Sequence, residues 1–204
     1  MSFQLVSIVE GDGEVQALPV LLRGIAAWLA PERHISVPRP IQTPRDRFLQ
    51  RDAERRKVLE LAVRLCAHAP DGGHIIVLLD ADDDCPATLG SELKTTCEGI
   101  VDGRTGLLAV LANREFEAWF LASGTSMQGV RGFDRTRLSG HWTGSDPDEP
   151  RNAKGLIHEA TGRRYRSVKD QAALSARIDP ALAERRSRSF RKLVAECRRA
   201  LKIA

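Results

Sequence analysis

The sequence predicts an α/β fold in which a four-stranded, mostly parallel sheet carries helices on both faces. Short apolar runs of strand length alternate with segments in which apolar residues recur at helical spacing, and glycine-rich turns separate them. This alternation is typical of βαβ units with right-handed crossovers. The 204 residues are 42% hydrophobic and 28% charged, which is enough apolar content for a core and excludes a disordered chain.

The strands are predicted from their apolar runs and from the breaks that end them. Four runs are expected to form the sheet: Phe3–Val9, His34–Val37, His74–Asp80 and Leu107–Ala112. The first ends at the turn sequence GDG, and the second is bounded by two prolines, which disfavour a long strand. The third is nearly all apolar, as in a parallel strand that is buried on both faces. The fourth follows glycines that mark a turn.

Helical segments connect and follow these strands. Their apolar residues recur every three or four positions, and we place them at 15–29, 46–68, 86–98, 115–122, 153–161, 168–178 and 180–201. The segment 46–68 is predicted to be one long amphipathic helix, because charged side chains fill the face opposite its apolar stripe. Residues 124–152 carry little periodicity and are rich in Gly, Ser, Asp and Pro, which predicts a long loop.

The formal net charge of +4 hides two regions of opposite sign. Residues 1–150 carry 16 Lys and Arg against 22 Asp and Glu, whereas residues 151–204 carry 15 against 5. We therefore distinguish an α/β core with its long loop, residues 1–150, from a basic helical extension, residues 151–204, packed on the same domain. A basic extension of this kind can lie along nucleic-acid phosphates. The alternative is that its charges only solvate a helix face.

Acidic residues follow three of the predicted strands. They are Glu10 and Glu14 after the first strand, Asp80 and Asp82 at the end of the third, and Glu115 and Glu117 after the fourth. In open α/β sheets ligands bind outside the carboxyl ends of the strands, so these side chains are expected at one edge. Carboxylates that cluster without a cation oppose one another's ionisation. Their oxygens suit Mg²⁺ or Mn²⁺, which predicts a site for one of these ions.

Several classes of protein are excluded. The longest apolar runs are far shorter than the roughly 20 residues of a membrane span, and the N-terminal segment lacks the features of a signal peptide. We therefore expect a cytoplasmic protein. The cysteines form no CxxC pair and the histidines show no zinc-type spacing. Neither GxxxxGK[ST] nor GxSxG occurs, which excludes a P-loop ATPase and the usual hydrolase elbow.

Three motifs in order carry a resemblance to a known fold. The sequences VEGDGE, LLDADDD and NREFEAW, each at the end of a predicted strand, resemble the TOPRIM (Rossmann-like) fold and most closely the OLD-type (overcoming lysogenization defect) nucleases. Within that group the chain is similar to a family of small, stand-alone bacterial TOPRIM-like proteins. The later elements of that family match Tyr165–Arg166, Gln171 and Ser187–Lys192. The resemblance covers most of the chain and implies a metal-dependent nuclease that acts on DNA or RNA, in defence against phages or mobile elements.

The resemblance also implies roles for individual residues. The acids implied to hold Mg²⁺ or Mn²⁺ are Glu10, Glu14, Asp80, Asp82 and Glu117. Glu10 matches the TOPRIM glutamate, and with Asp80 and Asp82 it is implied to be catalytic. OLD-type sites are completed by a basic residue that neutralises transition-state charge, and Lys154, just after the long loop, is our candidate. Two metal ions in such a site would activate a water and stabilise the leaving oxygen.

Each motif also has a simpler interpretation. GDG after a strand is most often an ordinary turn, and the acids at 82–84 are often solvated or cap a helix. Glu115 and Glu117 favour the positive end of a helix. OLD-type sites carry a small hydroxyl residue where this chain has Glu115, so whether Glu115 replaces Glu117 as a metal ligand stays open.

Two other functions compete with the nuclease. The OLD-type ATPase domain is not found in this sequence, so the chain is alternatively a non-catalytic binding or signalling module that acts with a separately encoded ATPase. A receiver-like phosphoacceptor is the third interpretation. Glutamates at two strand ends fit the chemistry of a phosphoacceptor poorly.

Overall fold

The secondary structure follows the predicted alternation of strands and helices. The structure, a computed structural model, describes residues 3–138, 142, 144 and 146–203. Its strands are β1 (Phe3–Val9), β2 (Ile35–Ser36), β3 (Ile41–Gln42), β4 (Gly73–Asp80) and β5 (Gly106–Ala112). Its helices are α1 (Asp12–Leu29), α2 (Arg45–Gln50), α3 (Asp52–Ala67), α4 (Pro86–Val101), α5 (Ala118–Ala122), α6 (Ala153–Thr161), α7 (Ser167–Ser175), α8 (Pro180–Arg186) and α9 (Arg188–Ala200).

The strands form a parallel sheet in the order β2-β1-β4-β5, and β3 also pairs with β1. Ile8 of β1 lies opposite Val77 of β4, and Asp80 at the end of β4 lies opposite Ala112 of β5. The carboxyl ends of β1, β4 and β5 therefore meet at one edge of the sheet. The predicted α/β class with a mostly parallel sheet is confirmed.

The strand number differs from the prediction. Within the described residues the sheet has five strands, where the sequence predicted four. The predicted strand His34–Val37 shrinks to β2, and β3 follows it a few residues later. Proline has no N–H to donate to a ladder, so Pro38 and Pro40 divide this edge into two short pieces that pair with opposite ends of β1.

Helices cover both faces of the sheet. On one face α2, α3 and α4 bury residues such as Phe48 and Leu59 against β1 and β4. On the other face α1 and α5 to α9 share a second core that includes Trp119 and Phe190. Among the described residues, no helix has the length and apolar content needed to cross a membrane.

Two segments that were predicted as single helices are each divided in two. The segment 46–68 forms α2 and α3, because the backbone of Arg51 is extended and the Arg55 guanidinium donates to the Phe48 carbonyl at the end of α2 (3.0 Å). The segment 180–201 forms α8 and α9, which meet at Ser187. The Ser187 hydroxyl accepts the N–H of Phe190 (3.1 Å) and so caps α9.

The long loop predicted over residues 124–152 holds two 3₁₀ helices, Val130–Gly132 and Arg135–Leu138. Residues 139–141, 143 and 145 of this loop lie outside the described residues. In the part that the structure describes, no longer element interrupts the loop. It joins α5 to α6, whose first turn carries Lys154.

Candidate functional site

The parallel sheet brings the predicted acidic residues to one edge. Glu10 directly follows β1, Asp80 is the last residue of β4, and Glu117 comes between β5 and α5. Glu14 lies in the first turn of α1. The negative charges of Glu10, Glu14 and Glu117 each act on Asp80, so carboxylates from three strand ends share one site.

Three of these carboxylates, those of Glu14, Asp80 and Glu117, are buried. The Asp80 side chain accepts the N–H of Phe116 through Oδ1 (2.8 Å). Glu117, 0% exposed, accepts the hydroxyl of Tyr165 through Oε1 (2.9 Å). Its other oxygen, Oε2, has no hydrogen-bond partner among the described residues. A buried carboxylate oxygen that accepts no hydrogen bond is costly, and it has the capacity to bind a cation.

The ammonium group of Lys154 lies among three carboxylates. Its Nζ is 3.8 Å from Asp80 Oδ2, 3.8 Å from Glu117 Oε2 and 3.4 Å from Glu115 Oε1. The backbone N–H of Lys154 also donates to Glu115 Oε2 (2.9 Å). Glu115 thus holds the start of α6 against the segment before α5, and Lys154 is placed at the centre of the site.

Glu14 is held by its own helix and by α7. Its carboxylate accepts the N–H of Gly11 (2.8 Å), which precedes α1, and the side-chain amide of Gln171 (3.1 Å). Neither Gly11 nor Gly13 has a positive φ. Gly13 is required for space instead, because a Cβ at this position would overlap the side chains of Gln171 and Ser167. The GDG sequence therefore allows α1 and α7 to approach closely beside the site.

Asp82 and Arg45 lie at the exposed rim of the site. Asp82 follows β4 in the left-handed conformation (φ 51°), which aspartate tolerates better than most residues. Its carboxylate is 3.6 Å from Nε of Arg45. That Nε donates to the main-chain carbonyl of Asp80 (3.0 Å), and the guanidinium also pairs with Asp84. The structure thus places Asp82 apart from the buried pair Asp80 and Glu117.

Burial and mutual repulsion raise the pKa values of three carboxylates in the site. Burial, followed by the charges of Glu14 and Asp82, raises the pKa of Glu10 to about 7. Burial also raises the pKa of Glu117 to about 7, although Lys154 and Tyr165 oppose the rise. The pKa of Asp80 is raised well above its ordinary value, again by burial first and then by Glu117 and Glu10. A proton or a further cation would relieve this repulsion.

The oxygen atoms present suit a hard divalent cation. Within the described residues, no group of three His, Cys, Asp or Glu side chains is already arranged around one metal position. The buried Oε2 of Glu117, which accepts no hydrogen bond, and the carboxylates of Asp80 and Glu10 are nevertheless the kind of oxygen ligand that Mg²⁺ and Mn²⁺ prefer. The donor chemistry therefore fits, and a bound ion would have to share the site with the Lys154 ammonium.

Three residues of the site carry no assigned role in the sequence-based prediction. Tyr165 and Gln171 appear there only as elements of the resemblance, and Arg45 does not appear. The Tyr165 hydroxyl meets a glutamate 48 positions away in sequence, and the Gln171 amide meets one 157 positions away. No sequence spacing predicts such contacts. Arg45 is the first residue of α2 and lies beside a strand end, but the local sequence does not distinguish it from the arginines that follow.

The element Ser187–Lys192, at the start of α9, has a structural role. Ser187 donates to Asp148 Oδ1 (2.8 Å), and Asp148 Oδ2 accepts the N–H of Arg188 (2.8 Å). The Ser189 hydroxyl accepts the indole N–H of Trp119 (2.9 Å). These bonds anchor the start of α9 to the long loop and to α5, at a buried position next to the core.

Comparison with known proteins identifies a family. The family model described as "Domain of unknown function (DUF4276)" matches residues 9–197, a range that includes every acidic residue of the site as well as Lys154, Tyr165 and Gln171. No curated protein and no solved structure matches the chain.

Proposed function

The chain belongs to the DUF4276 family of domains of unknown function, and from its site we propose that it is a divalent-metal-dependent nuclease that hydrolyses phosphodiester bonds in DNA or RNA. The observation that carries the proposal is the buried Oε2 of Glu117, which accepts no hydrogen bond and lies with Asp80 beside a lysine at the carboxyl edge of a parallel sheet. The same edge supports the finer assignment of the fold as TOPRIM-like.

We assign the metal ligands from the acids at this edge. Asp80 and Glu117 supply buried oxygens, Glu10 and Glu14 supply oxygens from the β1–α1 junction, and Asp82 adds one at the rim. A bound Mg²⁺ or Mn²⁺ would supply Lewis acidity, which lowers the pKa of a water molecule and stabilises charge on a phosphate. Hydrogen bonds from Tyr165 to Glu117 and from Gln171 to Glu14 fix the orientation of two of these carboxylates.

Lys154 supplies the positive charge that the protein itself brings to a phosphate. Burial alone would lower the pKa of Lys154, but the carboxylates of Glu117, Asp80 and Glu115 raise it, so the side chain keeps its proton at neutral pH. With nearly half of its side chain exposed, Lys154 can also face a substrate. A phosphoryl oxygen beside Nζ would have its developing negative charge stabilised directly.

One observation favours the non-catalytic module as the second candidate. The Lys154 ammonium already balances Asp80, Glu115 and Glu117, and the described residues contain no ready-made three-ligand metal group. If the ammonium takes the place of a metal permanently, the site is a structural ion-pair cluster. The protein would then act by binding, with a separately encoded ATPase as its partner.

Cleavage assays distinguish the two candidates. Purified protein is incubated with plasmid DNA and with RNA, in Mg²⁺ or Mn²⁺ and in EDTA, beside Asp80→Asn and Glu10→Gln. We expect metal-dependent cleavage that falls by roughly 100-fold or more in both variants, because each removes a proposed ligand of the metal ion that would stabilise charge on the phosphate. Asp83→Asn is the matched control, since Asp83 is exposed and pairs with Arg151 at the surface; this variant should cleave normally.

A metal titration completes the test. Excess Mn²⁺ should raise the melting temperature of the wild type, since an ion that binds only the folded state stabilises it, and Asp80→Asn should abolish this shift. No cleavage under any metal, together with no Mn²⁺-dependent change in melting temperature, would refute the nuclease and favour the module.

A further inference from the structure

A groove opens directly beside the carboxylates. It has a volume of about 780 Å³ and runs along the first turns of α6 and α7 and the segment between these helices. Lys154 and Tyr165 line it, and both contact Glu117 from that side. A ligand in this groove would therefore lie next to the site that we propose to be catalytic.

The groove is basic, and three of its cationic side chains are free to bind a ligand. Arg164, Arg166 and Lys169 line it with exposed side chains, and within the described residues none of the three forms an ion pair with an acid. Arg163, by contrast, does not line the groove and is paired. Its guanidinium donates to both carboxylate oxygens of Asp170 (2.8 and 3.1 Å). Unpaired cations at the wall of a groove are suited to bind a polyanion.

The groove also offers apolar surface between these cations. Val168 is 56% exposed, and its position between Arg166 and Lys169 puts an apolar side chain in the groove wall. A ligand that matches both features carries regularly spaced negative charges and apolar faces between them. A single strand of nucleic acid has this pattern, since its sugars and unstacked bases are accessible. A duplex stacks its bases inside and presents mainly phosphates.

We propose that this groove binds a single strand of nucleic acid and leads one of its phosphates to Lys154. Arg164, Arg166 and Lys169 contact the phosphates, and Val168 contacts a sugar or base between them. Since Lys154 belongs to both the groove and the carboxylate cluster, the phosphate beside it is the one presented to Asp80 and Glu117. This inference rests on the proposed function, which identifies the polyanion as a nucleic acid. It adds that the nucleic acid is single-stranded and that it reaches the site along this groove.

Binding in the absence of metal tests the groove separately from catalysis. Fluorescein-labelled single-stranded DNA and RNA of about 16 nucleotides, and the matching duplexes, are titrated in EDTA with wild type, Asp80→Asn and the triple variant Arg164→Ala/Arg166→Ala/Lys169→Ala. We expect the triple variant to bind the single strand at least tenfold more weakly. Its slope of log affinity against log salt should be shallower by about 2, because each phosphate neutralised on a single strand adds about 0.7 to the slope. Asp80→Asn should bind at least as well as the wild type.

Two further variants control for charge and folding. Arg56→Ala/Lys57→Ala/Arg64→Ala removes the same charge from α3, on the opposite face of the sheet, and should bind like the wild type. Arg164→Lys/Arg166→Lys keeps the charge in the groove and should retain most of the affinity. If this charge-keeping variant binds and the alanine variant does not, the positive charge is what the groove requires, and an unchanged melting temperature of the alanine variant excludes misfolding as the cause.

The outcomes separate the groove from the catalytic proposal. Strand binding that depends on the groove, without cleavage in any metal, would uphold the groove and refute the nuclease. Metal-dependent cleavage with an unchanged KM in the alanine variant would refute the groove and uphold the nuclease. Tighter binding of the duplex than of the single strand, equal weakening by the α3 variant, or no binding by the wild type would each overturn the groove proposal.

Discussion

Lys154 is the residue whose chemistry decides how the site behaves without a metal. Its single ammonium group faces Asp80, Glu115 and Glu117, two of which are buried. A buried carboxylate that loses its counter-charge must either take up a proton or destabilise the fold. The contribution of Lys154 to stability should therefore depend on whether its carboxylate partners are ionised.

Replacement of Lys154 by Met keeps the side-chain length and removes the charge. In EDTA at about pH 8, above the pKa of about 7 of Glu117, we expect the free energy of unfolding to fall by about 1 to 2 kcal/mol. This is less than for a fully buried ion pair, because the lysine side chain is half exposed. At about pH 5 Glu117 holds a proton, so the loss should shrink. Urea denaturation at the two pH values measures it.

The matched control for this substitution is Lys57→Met, an exposed lysine on α3. It should change the unfolding free energy little at either pH. An equal loss for Lys154→Met at both pH values would mean that the loss does not depend on the ionisation of Glu117, and the ion-pair cluster would then be unimportant.

Individual residues also mark the limit of prediction from sequence. Glu10, Asp80 and Glu117 could be predicted to meet, because each stands at the end of a parallel strand and the sheet fixes where strands end. Asp82 could not be placed at the rim, since its position follows from one left-handed backbone angle. The Gln171 contact with Glu14 depends on how α7 packs on α1, which no local pattern encodes.

At the scale of elements, the packing of α1 against α7 lies beside the site. Gly13 in the first turn of α1 leaves room for Gln171 and Ser167 of α7. Replacing it by Ala should force these side chains apart and cost about 1 to 3 kcal/mol of unfolding free energy. The displaced Gln171 would no longer hold Glu14, so Mn²⁺ binding should weaken as well. Thermal unfolding with and without Mn²⁺ measures both effects.

Gly24 provides the control in the same helix. It is exposed, and a Cβ there would have nothing within 4 Å. Gly24→Ala should therefore stabilise the protein by about 0.5 to 1 kcal/mol, through helix propensity alone. If Gly13→Ala behaved like Gly24→Ala, the close approach of α1 and α7 would not matter.

The elements themselves were predictable to different degrees. The strands β1, β4 and β5 lie within one residue of their predicted bounds, because buried parallel strands are continuous apolar runs that end at polar residues or turns. The breaks at Arg51 and Ser187 are not predicted from the sequence, because each depends on a specific hydrogen bond. The Arg55 guanidinium donates to carbonyls of α2, and the Ser187 hydroxyl donates to Asp148. Periodicity does not detect such interruptions.

At the scale of the whole molecule, the acidic and basic parts of the sequence meet at one site. The region with excess negative charge supplies the carboxylates at the sheet edge. The region 151–204, with its excess of Lys and Arg, supplies Lys154 and the cations of the groove. Its helices also share the core of α1. Regions of opposite charge that are separate along the chain are thus adjacent in space.

This adjacency leaves a net excess of buried acid, so global stability should depend on pH in a predictable direction. Glu117 has a pKa of about 7 in the folded state and an ordinary value of 4.5. Between these values the folded state binds more protons than the unfolded state. The free energy of unfolding should therefore fall as pH rises from about 4.5 through about 7. Glu10, with a folded-state pKa of about 7, adds to the fall.

Melting temperatures between about pH 5 and pH 8 check this dependence. In EDTA the wild type should lose stability with rising pH more steeply than Glu117→Gln, which has no proton to release, whereas Glu92→Gln on the exposed face of α4 should follow the wild type. Mn²⁺ competes with protons for the same oxygens, so its stabilising effect should grow as pH rises. A Mn²⁺ effect that is larger at pH 5 than at pH 8 would place the metal away from Glu117. Equal slopes for wild type and Glu117→Gln in EDTA would mean that Glu117 does not carry the pH dependence.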